Sequence, residues 1–368
     1  MNTLLRTSLL LSLLAVSSAD ELRPMFNSRD LSGWIRTNTP ESTWTWKDGM
    51  LICSGKPIGE LRTEKMYQNF IMEVEWRHMV PGGNAGIFVW ADDITSRGVP
   101  FHRGIEVQVL ENAYGNTRGY TTHGDIFPIH GAKMTPVNGR GGGRAFPTEN
   151  RSKPSPEWNH YRIECRDGSI SLAVNGKVVT QGRKCWPAKG YICLESEGGI
   201  VHYRNVRIRE LPDTPIDPEN VAIANRGYHS IYNGLNLDDF KSGPEHTAWK
   251  SRDWILSCAV ESGQTSHLIS RESSGDIGAV VDVKLNDNDA SASIHFAQIE
   301  VDLTKPPILG KVKKGWNRIE LTREKGNLVL LINDQSVGVQ DDTKNSGHIR
   351  LEATGSVDFS NLYLRTLP

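Results

Sequence analysis

Apolar and polar residues alternate in short runs along most of the chain: FIMEVEWRH (70–78), AGIFVWA (85–91), IEVQVLE (105–111), HYRIECR (160–166), SISLAVNGKVV (169–179), YICLESE (191–197) and VHYRNVRIREL (201–211). A period of two places one set of side chains in a core and the other on the opposite face, so each run predicts a β-strand. Gly, Asn, Asp and Pro separate the runs, and no long stretch carries the 3.6-residue period of an amphipathic helix. Many short strands between turn signals predict an all-β fold built from sandwiches. Asn175-Gly176 lies between two apolar runs and suits a two-residue hairpin turn.

The pattern occurs twice. MFNSRDLSGW (25–34) is echoed by IYNGLNLDDF (231–240), EWNHYRIECRDGSISLAVNGKVV (157–179) by GWNRIELTREKGNLVLLINDQSV (315–337), and KGYICLESEGGIVHYRNVRIREL (189–211) by SGHIRLEATGSVDFSNLYLRTLP (346–368). Three echoes in one order predict duplicated domains, over 20–211 and 228–368. The Pro-rich, aperiodic segment 212–227 reads as the linker. The first copy is the longer one, and its surplus lies mostly in residues 113–156, rich in Gly, Pro, His and Arg. A structureless loop of that length is expected to be functional or disordered, which places the site in the first copy. The second copy is expected to be an accessory domain.

Composition narrows the function. The 42 basic and 43 acidic residues nearly cancel, so no nucleic-acid or anionic-membrane partner is expected. Residues 1–19 join one Arg, a Leu-rich run and small residues ending at Ala19, the pattern of a cleaved secretory signal, so a periplasmic or secreted location is expected. No later run is long and apolar enough for a membrane helix. The five cysteines, Cys53, Cys165, Cys185, Cys193 and Cys258, allow bridges or buried thiols, and none has C-x-x-C spacing.

The misfit within this pattern is GIEVQVLEN (104–112). Ile105, Val107 and Val109 form an apolar half; Glu106 and Gln108 form a polar half, and Glu111 falls out of step. A β-bulge near Val109-Leu110 would return Glu111 to the face of Glu106 and Gln108. In the neighbouring run, Asn84, Gly86, Phe88 and Trp90 share one face by alternation, a mixture of amide and aromatic groups suited to a sugar. The same residues could instead pack as a minor core. Asn112, His123 and Asp125 are further candidates for substrate binding. Arg140 and Arg144 flank a triple glycine and could read vicinal hydroxyls or be plain loop charges. Glu195 has a counterpart in the second copy, Glu352, which favours a structural role; Glu197 has none and stays a candidate. Asn205 has the counterpart Asn361 and reads as structural.

The E-x-Q-x-x-E pattern is similar to the E-x-D-x-x-E strand of laminarinase-type glycosidases, from which Gln108 departs. A wider resemblance exists. The segments GNAGIFVWA, GIEVQVLEN, EWNHYRIECRDGSISLAVNGKVV and KGYICLESEGGIVHYRNVRIREL resemble, in order, the hallmark blocks of the 3-keto-disaccharide hydrolase domain family, over about residues 23–211. The resemblance implies a concanavalin-like jelly roll and action on glycosides oxidised at C3. A C3 ketone acidifies the C2 hydrogen, so a base can expel the C1 substituent by elimination, after which water adds to the enone. That chemistry calls for a base, an acid at the leaving oxygen and a group to polarise the carbonyl. Glu106 is the expected base, Gln108 a ligand for a hydroxyl or the enolate, and Glu111 or His130 the acid. No cofactor is firmly expected, although a divalent cation could serve as the Lewis acid. The alternatives are an ordinary glycoside hydrolase and a non-catalytic carbohydrate-binding module. All three imply a small sugar or glycoside as partner.

Overall fold

The computed structural model describes residues 21–114, 123–224, 226–241, 243–261, 263–274, 277–297, 299–324, 327–338 and 347–366. The expected signal segment and residues 115–122 of the long loop lie outside these. The described chain is almost entirely antiparallel strand, with four short 3-10 turns as its helical content. It forms two jelly-roll β-sandwiches in tandem. In the first, a nine-stranded sheet lies against a six-stranded one; in the second, an eight-stranded sheet lies against a four-stranded one.

Each sandwich has its own core. In the first, Ile87, Val89, Ile105, Val107 and Val109 of the smaller sheet meet Val74, Trp76, Tyr161 and Tyr203 of the larger one. In the second, Val281, Val283, Ile319, Leu351 and Phe359 are among the buried contacts. The Asn175-Gly176 turn forms as expected, with φ of 48° and 88° and Val174 paired with Lys177. All five cysteines are buried free thiols.

The repeat extends to individual hydrogen bonds. The side-chain oxygen of Asn27 accepts from the amides of Arg29 and Asp30, and that of Asn233 from those of Leu235 and Asn236. Asn159 brackets Lys153 by accepting from its N–H and donating to its carbonyl, and Asn317 does the same to Lys313. Asn175 and Asn333 then donate to these two asparagines. Asn205 and Asn361 share a φ of 50°, and the pairing register slips beside each of them. Most of the asparagines that recur between the copies thus bond backbone groups at turns and bends.

The six-stranded sheet carries the candidate site. Its strands run in the order Trp34–Thr37, Gly59–Thr63, Tyr191–Ser196, Asn84–Ala91, Gly104–Leu110 and Ile126–Ile129. The last of these comes from the long loop, which also supplies the strand Lys133–Pro136. The described part of that loop is thus ordered, and it extends the site sheet through the pairing of Glu106 with Phe127.

Candidate active site

Cross-strand register brings the polar residues of four separate strands together. Glu60 lies opposite Glu195, Phe88 opposite both Glu106 and Cys193, and Gly86 opposite Gln108. Alternation then puts Glu60, Glu195, Gly86, Phe88, Glu106 and Gln108 on the face turned away from the core. Gly86 lets the carboxylates converge. A Cβ at that position would lie 2.9 Å from Glu106 Oε1 and 2.9 Å from Glu195 Oε2, so these oxygens are within twice that distance of each other. Any larger residue would push them apart.

These carboxylates are sequestered: Glu60 is 0 %, Glu195 2 % and Glu106 6 % exposed. Burial, then the charge of Glu197, raises the Glu106 carboxyl well above its usual range, against the pull of Arg144. Glu195 is raised well above its usual value by burial and by Glu197 and Glu106. Glu197, half-buried just beyond the Tyr191–Ser196 strand, is pushed up to about 7 by burial, with Glu60 adding and the bond from Asn84 opposing. Two buried carboxyls raised above their usual range, beside a third pushed up to about 7, can serve as an acid–base set.

Amides connect this set. Asn84 Nδ2 donates to Glu197, while Asn84 Oδ1 accepts from Gln108 Nε2 at 2.9 Å. Gln108 also donates to the Ala85 carbonyl at 3.2 Å, so its N–H groups order the site and are not free for a sugar. Asp125, fully buried, accepts from Arg144 Nη1 at 3.0 Å, and the Arg144 guanidinium lies 3.3 Å from the centre of the Phe127 ring. Glu60 accepts from the backbone N–H and Nδ1 of buried His102. Glu60, His102 and Cys193 bring ligand-type atoms within 4.8 Å of one another, the group among the described residues best suited to a cation.

Several sequence expectations change. The Gly104–Leu110 strand pairs without a register slip from Ile105 to Leu110, so no bulge turns Glu111 to the polar face. Instead the strand ends, and Glu111 accepts backbone N–H bonds from Gly82 and Ala113 at 2.7 Å and from Ser155 at 2.9 Å. Burial raises its pKa, but these bonds outweigh burial and hold it below the usual value. Glu111 is a clamp for two loops, not an acid. The bulge lies in the neighbouring strand, where the register slips between Tyr191 and Cys193 and Trp90 takes a φ of 55°. That conformation turns Trp90 through the sheet into the core, where it donates to the Gln68 carbonyl at 2.9 Å. Phe88 keeps the expected face but is buried in a small apolar cluster with Ala91, Tyr191 and Cys193, and so offers no wall to a sugar.

The other candidates sit at the margin. His130 is exposed in a turn and stacks on Phe101 at 6.1 Å. Asn112 exchanges hydrogen bonds with Ser152, holding the 150s segment to the end of the strand. His123 bonds Asn150 at 2.5 Å, and burial lowers its pKa. Arg140 lies over Phe146, exposed, while its neighbour Arg144 is the arginine that reaches the site.

Sequence reasoning missed Glu60 and His102, left Arg144 between reading hydroxyls and plain loop charge, and read Glu195 as structural. The alternation Glu60-Leu61-Arg62 could have flagged Glu60. For Glu195, the counterpart Glu352 misled: it is half-buried and paired with Arg350, and the position facing it is Ser293 where the first copy has Gly86. The backbone position is duplicated, but the buried carboxylate cluster is not.

With buried carboxylates and amides on one sheet face, the chain is a carbohydrate-active, glycoside-hydrolase-like protein, as its family and its curated relative indicate. The model of the 3-keto-alpha-glucoside-1,2-lyase-like domain matches residues 21–209, more than half of the chain, and the chain belongs to that family. A 3-keto-disaccharide hydrolase of Bacteroides thetaiotaomicron is 24% identical over 238 residues, covering 52% of this chain and 79% of that one. Among solved structures, a Parabacteroides distasonis protein provisionally named a glycosyl hydrolase aligns with a TM-score of 0.41 and 21% identity, over 53% of this chain and 95% of that chain. A β-glucanase of Bacillus licheniformis aligns at 0.34 and 14%, over 49% and 94%.

Proposed function

We propose that the first sandwich cleaves 3-keto-glycosides by elimination followed by hydration, with Glu197 as the base and Glu106 as the acid. The observation that carries this reading is the split within the carboxylate set. Glu197 titrates at about 7 and is the most exposed member, whereas Glu106 is buried and raised well above its ordinary range. A base that takes the C2 proton must be ionised near neutrality, and an acid for the leaving oxygen must arrive protonated.

In this scheme Glu197 removes the C2 hydrogen as a proton. The C–H electrons form the C1–C2 double bond as the C1–O bond breaks, and Glu106 protonates the departing oxygen. Water then adds at C1 while C2 is reprotonated, giving the free 3-keto sugar. Negative charge develops on the C3 oxygen, and Arg144, held by Asp125, is the cation available to stabilise it. Asn84 and Gln108 fix the orientation of Glu197.

One observation favours a second reading. The Glu106 and Glu195 oxygens each lie 2.9 Å from one point, so the pair is no further apart than twice that distance, which admits the separation of about 5–5.5 Å used by retaining glycosidases. Incubation with a disaccharide and with its 3-keto derivative separates the two. The proposal expects cleavage of the keto sugar alone, and equal cleavage of the unoxidised sugar would refute it.

A further inference from the structure

The loop that joins Asn84–Ala91 to Gly104–Leu110 leaves the first sandwich, is bound by the second, and returns carrying Phe101 and His102 into the site. At its tip several polar groups are held across the domain boundary. Thr95 Oγ1 bonds Tyr363 OH at 2.8 Å, and the Thr95 carbonyl accepts from Arg318 at 2.9 Å. Gly98 N–H donates to Asp282 at 2.8 Å, and the Gly98 carbonyl accepts from the Trp254 indole at 3.3 Å. Asn361 Nδ2 donates to the carbonyls of Ser96 at 2.9 Å and Val99 at 3.0 Å. Asp282 is fully buried and takes two bonds from Arg318, so the receptor for the loop is itself a satisfied, rigid network. Ile94 adds an apolar contact with Tyr228, Val280 and Tyr363.

The first sandwich does not use its own copy of this apparatus. Asn205, the counterpart of Asn361, is exposed and bonds Glu75. The second copy has turned its equivalent bend into a receptor for a loop of the first. At the other end of the loop, Phe101 packs edge-on against Phe88 at 6.1 Å, and His102 donates to Glu60, which faces Glu195 across the sheet.

We propose that the second domain is a working part of the site: by clamping residues 94–99 it sets His102 on Glu60, and His102 is a positioning residue for the carboxylate floor. The proposal rests on the reading of that floor as the place of reaction. Its physical content is that loop order, and hence the bond from His102 to Glu60, depends on contacts made outside the first sandwich. Small losses of order in a supporting shell cost catalysis out of proportion to their size.

Two variants of the full chain test it. Gly98 has a φ of 71°, and a Cβ there would lie 2.2 Å from Trp316 Cγ, so Gly98→Val pries the loop from its receptor without touching either core. Asn361→Ala removes both carbonyl contacts. In both variants amide exchange over residues 93–103, including the His102 amide, is expected to accelerate at least tenfold while the Asn84–Ala91 and Gly347–Thr354 strands stay protected. Turnover of the 3-keto-disaccharide is expected to fall about tenfold through kcat, with little change in KM and a displaced pH profile. His102→Ala is expected to reproduce the kinetic loss, and His102→Asn, which keeps a donor to Glu60, to restore most of it. Unchanged loop protection in both variants would overturn the proposal, as would lost protection with unaltered kcat and pH profile. If the unmodified chain cleaves no keto-glycoside, the reading of the site fails, and exchange at the His102 amide still decides whether the second domain holds that residue in place.

Discussion

Glu106→Gln is expected to slow cleavage of a 3-keto-disaccharide by about 10²–10⁴-fold, the usual worth of a positioned acid. Gln is nearly isosteric with a protonated carboxyl, the form that burial and the Glu197 charge favour at this position, so the fold and the Gly86 notch should survive. What is lost is the proton delivered to the leaving sugar. A substrate whose leaving group departs as a stable anion does not need that proton. The variant should therefore retain most of its rate on a nitrophenyl 3-keto-glucoside, and steady-state kinetics on the two substrates check this. Equal losses on both would remove Glu106 from the role of acid.

Glu197→Gln is expected to abolish turnover on both substrates, because no elimination starts without the base. In the unmodified protein kcat/KM should rise with pH through about 7, as Glu197 ionises. The same group gives a stability signature. Its folded pKa is raised from 4.5 to about 7, so the folded state holds a proton that the unfolded chain releases. Its contribution to stability is fully present below pH 4.5 and is lost as pH rises towards 7. Denaturant titrations across that window should show a decline that is shallower in the Gln variant, where Glu106 and Glu195, also raised, still contribute. A variant with the same slope, or one that keeps the rising limb of the rate profile, would show that another group titrates there.

Much of the architecture was legible in the residues because strand alternation and turn chemistry are local. The Asn175-Gly176 hairpin and the repeated Asn27/Asn233 and Asn159/Asn317 motifs depend on neighbours in sequence or on one partner strand. Glu106, Gln108, Asn84 and Glu197 were legible for the same reason: each is a polar residue on an otherwise apolar run. The errors came where tertiary context decides. Trp90 alternates correctly with Phe88 and Gly86, yet a positive φ at a bulge sends it to the other face. Glu111 looked like a displaced catalytic group because nothing local reveals that the amides of Gly82, Ala113 and Ser155 converge on it. Glu195 became part of the site through Gly86, a residue on another strand whose importance lies in the side chain it lacks.

The central claim is that the C2–H bond breaks before the glycosidic oxygen is replaced. Turnover of a 3-keto-disaccharide deuterated at C2 of the oxidised ring tests it directly. Elimination by Glu197 predicts slower cleavage of the deuterated sugar and solvent hydrogen at C2 of the product, beyond the exchange seen for the free 3-keto sugar alone. Equal rates for both sugars, with the C2 deuterium retained in the product, would contradict the elimination route and favour direct displacement at C1 by the Glu106–Glu195 pair.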